Sequence, residues 1–120
     1  MKLQIAVILE VPWLGYCKII FIMATIKTFK DLRAWEKSIE LARLIYLSSG
    51  KSPFSKDKPL QKQIRKAVLS IASNISEGFE REGNKEFIQF LAIAKGSAAE
   101  VQTQVRISFE VDYICYEEFN

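Results

Sequence analysis

Apolar positions in the second half of the chain return every three or four residues, the period of an amphipathic helix. Leu60, Ile64, Ala67, Val68, Ile71 and Ile75 make one such stripe and predict a helix over 60–77. Phe87, Leu91, Ala94, Ala98, Val101, Val105 and Phe109 make the cleanest one and predict a helix over 84–112. Gly78 is a natural C-terminal stop for the first of these, and the charged link 79–83 reverses the chain. Gly83 or Asn84 opens the next helix, with Glu86 placed to complete a capping arrangement. Gly96 costs about 1 kcal/mol of helix propensity. It heads the run Gly96-Ser97-Ala98-Ala99, so close approach of a neighbouring helix is the expected compensation.

The first half carries a third helical pattern. Asp31 is a suitable N-cap for a helix over 31–47. Leu32, Trp35, Ile39, Ala42 and Tyr46 share one face, and Lys27, Lys30, Arg33 and Lys37 fall opposite. Leu41, Leu44 and Ile45 lie outside that stripe and make the second half of the helix apolar almost all round. In so small a domain this predicts that Leu41, Leu44 and Ile45 contact a second subunit. Gly50, Pro53 and Pro59 punctuate the linker that follows, and Pro59 suits the first turn of the next helix. Residues 116–120, with Glu117 and Glu118, read as the first turn of a further helix.

Residues 1–22 stand apart. They are rich in β-branched and aromatic side chains, but Glu10, Pro12, Gly15 and Lys18 interrupt them. A spanning helix needs about 18 uninterrupted apolar residues, and a secretory signal needs a longer apolar centre and a small-residue cleavage site. The segment fits better as an extension ahead of a start at Met23, leaving 23–120 as the helical domain. No membrane association is expected.

Composition narrows the chemistry. The 120 residues allow one domain and the 49% hydrophobic content supports a core. The absence of histidine removes the commonest general base and the commonest zinc ligand together. Cys17 and Cys115 are too dispersed for a metal site or a disulfide framework, so a reduced, cytoplasmic protein with no cofactor and no metal is expected. Ser70, Ser73, Asn74 and Glu77 form a polar stripe between the faces of the second helix. A serine nucleophile would need a base, and Lys66, one turn before Ser70, is the sole neighbour in sequence that could serve. A structural polar seam between helices is the better reading. The net charge of +3 is modest. Lys30, Arg33 and Lys37 on one helix, and Lys62, Arg65 and Lys66 on the next, form basic lines suited to phosphate backbones if symmetry multiplies them. Without aromatic platforms or an RNA-binding signature beside them, such contacts would be directed at the backbone and sensitive to salt.

Several segments together carry a resemblance. FKDLRAW at 29–35, QIRKA at 63–67, SIASNISEGF at 70–79 and KEFIQFLAIAKGSAAE at 85–100 resemble the bacterial four-helix bundle proteins, the intervening-sequence proteins encoded within large-subunit ribosomal RNA genes. The resemblance implies an all-α, antiparallel up-down four-helix bundle that assembles into a ring, most often a homopentamer. It also implies kinship with the accessory protein of diversity-generating retroelements, which binds nucleic acid, RNA or DNA, and a reverse transcriptase. No catalytic residue comes with it, so a non-enzymatic assembly protein is expected, with an interaction scaffold that does not touch nucleic acid as the alternative. The family's fourth helix runs some twenty residues, against a first turn at 116–120 here. Removing about five buried side chains forgoes ~10 kcal/mol. The expectation is therefore a chain of low stability on its own, or an open groove that something else covers.

Overall fold

The computed structural model describes residues 26–115. Among them are three α-helices, two 3-10 turns and no strand. Helix α1 spans Arg33–Ser49, α2 spans Lys58–Glu80 and α3 spans Asn84–Glu110. The all-α class stands, but the described residues form three helices instead of four. The further helix expected at 116–120 and the segment 1–22 both lie outside the described residues.

Each helix starts and stops for a local reason, and several reasons differ from expectation. Asp31 does not cap α1, whose N-cap is Leu32. Its carboxylate accepts from the backbone N–H of Lys27 and of Thr28, both at 2.9 Å, and closes the 3-10 turn Phe29–Asp31. Those two donors hold the Asp31 carboxyl below its ordinary pKa. Asp57 is the side-chain cap of α2, accepting from Leu60 N–H at 3.1 Å, with Pro59 in the first turn. No side-chain cap bonds the start of α3. At its far end Asp112 takes a positive φ of 60°. Tyr113 N–H then donates to Ser108 O and Asp112 N–H to Phe109 O. That paired closure turns the chain back on itself, so Ile114 is buried and Tyr113 stacks on Phe54.

Gly78 is not the stop of α2, because the helix runs on to Glu80. Its missing side chain serves packing: a Cβ there would lie 2.5 Å from Phe90 Cβ and 3.1 Å from the Phe87 ring. Gly96, where close approach was expected, is exposed, and a Cβ at that position would have no neighbour within 4 Å. The intimate contact of the hairpin therefore lies at its turn end.

Helix α2 is the middle element. It packs extensively against α3 and also against α1, whereas α1 and α3 scarcely touch. Successive helices run antiparallel: Ser70 meets Ser97, and Arg65 meets Ser49 and Tyr46. Ile64, Ala67, Val68, Ile71 and Ile75 are buried as the stripe predicts, and Phe54, Phe87, Ala94 and Val101 complete the middle of the core. The predicted stripe of α1 is rotated. Ile39 and Tyr46 are exposed, while Ser38, Ile45 and Ser49 are buried. Large apolar side chains at the exposed positions misled the periodicity, and small serines at the buried ones did not register as core.

Candidate functional site

The basic lines resolve into two separate places. Lys30, Arg33 and Lys37 are exposed at the N-terminal end of α1, and Lys62 and Lys66 are exposed near the N-terminal end of α2. Because the helices are antiparallel, these sets stand about 20 Å apart along the bundle at 1.5 Å per residue. Lys37 pairs with Glu40 at 2.8 Å, both well exposed. Among the described residues no continuous basic face joins the two lines.

Arg65 is not part of a free basic surface. Its Nε donates to Ser49 Oγ at 2.9 Å and its guanidinium to Tyr46 O at 3.2 Å. The same group lies 4.5 Å over the Tyr46 ring. Gln61 adds a bond from Nε2 to Ser49 O at 2.7 Å. A cation and an amide from α2 thus satisfy the last carbonyls of α1, where the helix dipole favours positive charge. The sequence reading set Arg65 on a basic outer line, whereas it packs on the end of α1; its Ser49 partner lies sixteen residues away and leaves no local signal.

The polar seam exists with a different membership. Ser70 Oγ meets Ser97 Oγ of α3 at 2.8 Å. Asn74 Nδ2 donates back to Ser70 O at 2.7 Å and to Ser70 Oγ at 2.9 Å. Ser73 is exposed, and Glu77 faces outward to pair with Arg81. Ser97 was hidden in the run of small residues. Beside the seam lies a polar crevice of about 390 Å³ lined by Gln63, Lys66, Ala67, Ser70, Ser97 and Glu100. It exists because serine and alanine side chains leave the α2–α3 crevice unfilled. Further along α3, Gln104 and Ser108 are buried too. Ser108 Oγ donates to Gln104 O, whereas Gln104 Oε1 is buried with no partner.

Of the three residues expected at a subunit contact, Ile45 is committed to the core at 7% exposure and Leu41 is half-buried against it. Leu44 is 55% exposed. Other exposed apolar side chains are spread over all three helices, among them Leu47, Leu69, Ile88, Ile93 and Ile107. No group of His, Cys, Asp and Glu among the described residues could hold a metal. No described helix is long and apolar enough to cross a membrane.

An antiparallel, all-helical unit with a serine seam inside and large aliphatic side chains outside belongs to the class of helical bundles. The sequence pattern of the 23S rRNA-intervening sequence proteins matches residues 30–120, and the chain belongs to that family. A comparison with curated proteins returns no match.

Proposed function

We propose that the protein is a non-enzymatic subunit that works by assembly: copies associate through apolar helix faces, and a fourth helix over the α1/α3 opening completes a four-helix bundle. The observation that carries this reading is the set of aliphatic side chains left half in water on every helix, with Leu44 at 55% and Ile93 at 52% exposure. Gathered together by association, such side chains would form an apolar contact surface. On α3, Ile93, Ile107 and Val111 fall along one outward line, away from the buried line of Ala94, Val101 and Ser108. A closed ring of copies, pentameric by family likeness, would bury such lines without leaving an edge. Sedimentation velocity of the full chain across micromolar concentrations tests this. The expected result is one species of several-fold the 13.8 kDa chain mass; a monomer throughout would refute it.

A second reading has an observation of its own. Lys51, Lys56, Lys58 and Lys62 cluster at the end of the subunit where α1 gives way to α2. Repeated around a ring, that end would present a positive rim to an RNA or DNA backbone. Binding of labelled RNA should then fall steeply with salt and weaken in a Lys58→Gln plus Lys62→Gln variant. Affinity unchanged by either would leave the scaffold without nucleic acid.

A further inference from the structure

The polar crevice between α2 and α3 lies where two helices otherwise pack closely. Large side chains do not fill it, because Ala67, Ser70 and Ser97 stand where the helices face each other. At about 390 Å³ it falls within the ~300–1,000 Å³ range of small-molecule sites. Its floor is buried structure, with Ala67 at 3% and Ser97 at 9% exposure.

Hydrogen-bond counting shows what the crevice lacks. Asn74 Nδ2 donates to Ser70 Oγ, and one hydrogen joins Ser70 Oγ to Ser97 Oγ. Each serine brings a hydroxyl hydrogen of its own. Whichever serine donates to the other, one O–H is left with no acceptor among the described residues. Lys66 is exposed on the α2 wall and has no ion-pair partner among the described residues. The floor and the α2 wall therefore hold an excess of donors.

The α3 wall is the reverse. Glu100 accepts one long bond, 3.5 Å from Gln104 Nε2. The oxygen of that same amide, Gln104 Oε1, is buried without a partner in a residue only 6% exposed. Buried acceptors are seldom left unpaired, and here the oxygens outnumber the hydrogens that reach them. Because Ser70 stands opposite Ser97 in antiparallel helices, Lys66 and Glu100 lie at nearly one level on opposite walls. None of the ion pairs among the described residues joins them.

We propose that this crevice binds a small zwitterion, its carboxylate held by Lys66 and the spare serine hydroxyl and its ammonium by Glu100. Charges on opposite walls select a ligand with its charges at opposite ends. That is a short ω-amino acid, in preference to an α-amino acid, which carries both at one carbon. The ligand's ammonium also brings hydrogens to the wall that is short of them. The site uses none of the exposed aliphatic side chains assigned to assembly, so either reading can fail without the other.

The test is an amide NMR titration of the full chain with four-carbon compounds: 4-aminobutyrate, 2-aminobutyrate, butyrate and 1-aminobutane. Saturable shifts at Ser70, Ser97 and Gln104 are expected with 4-aminobutyrate, and affinities about tenfold weaker with the other compounds. Lys66→Glu, at an exposed position, should weaken 4-aminobutyrate about tenfold. Lys66→Glu combined with Glu100→Lys should restore it by reversing the ligand. No saturable shift at these residues, or equal affinity for all the compounds, would overturn the site. So would a double variant that binds no better than Lys66→Glu alone. Binding of 2-aminobutyrate as tight as that of 4-aminobutyrate would overturn the choice of an ω-amino acid.

Discussion

The two long sides of α3 have been solved in opposite ways. On the side towards α2 the helices come close enough for Gly78 to be required beneath Phe90, and a serine pair bridges them. On the side towards α1 there is little contact, and Leu91, Val105 and Phe109 stay partly open. The first side is complete within one chain and tolerates polar groups because each serine there finds a partner. The second is apolar and only partly covered by the described residues. The apolar stripe of α3 therefore runs across a partly covered side as well as the tight contact with α2.

Mutations can separate the sides. Ile64→Ala, at a fully buried site, should cost about 3 kcal/mol in chemical denaturation. Leu44→Ala should cost under about 0.5 kcal/mol in a dissociated subunit but weaken assembly. If Leu44→Ala were as damaging as Ile64→Ala in the monomer, α1 would have no outward apolar side. Gly78→Ala should destabilise by a net ~2 kcal/mol, overlap with Phe90 Cβ outweighing the gain in helix propensity. Arg65→Gln should cost about 1–2 kcal/mol by stripping the end of α1 of its donors, whereas Lys62→Gln should leave the melt unchanged. Gly96→Ala meets nothing and should stabilise by up to ~1 kcal/mol. Its sign, opposite to Gly78→Ala, is the sharpest check on where the helices approach.

The smallest expected effect lies outside both sides. Asp31 is fully exposed, but its bonds from Thr28 and Lys27 N–H lower its folded pKa. The contribution of that turn is therefore present above the unfolded carboxylate value of 3.8. It is lost as pH falls through the lower folded value. An NMR titration of Asp31 should show a midpoint below 3.8 in the folded chain and a return to the ordinary range on unfolding.

What could be read from the sequence follows the same divide. The cores of α2 and α3 were legible because aliphatic residues repeat at helical spacing and the structure uses them as such. The register of α1 was not, since Ser38 and Ser49 are buried while Ile39 and Tyr46 are exposed. Periodicity reports where apolar side chains are, and a serine that bonds to its own helix or to a neighbour's arginine can be buried without that signal. The role of Arg65 and the identity of Ser97 as seam partner are long-range facts. No local pattern encodes which side chain stands opposite in an antiparallel neighbour. The two basic lines were legible as lines, but their separation to opposite ends follows from chain direction.

On the proposed reading, the outward aliphatic side chains are contact surface in the working protein. Hydroxyl-radical footprinting of the full chain, dilute and concentrated, tests it residue by residue. Leu44, Ile93 and Ile107 should label readily at low concentration and become protected on association, while Phe87 and Val101 stay protected throughout. Leu44, Ile93 and Ile107 labelling equally at every concentration would contradict the account.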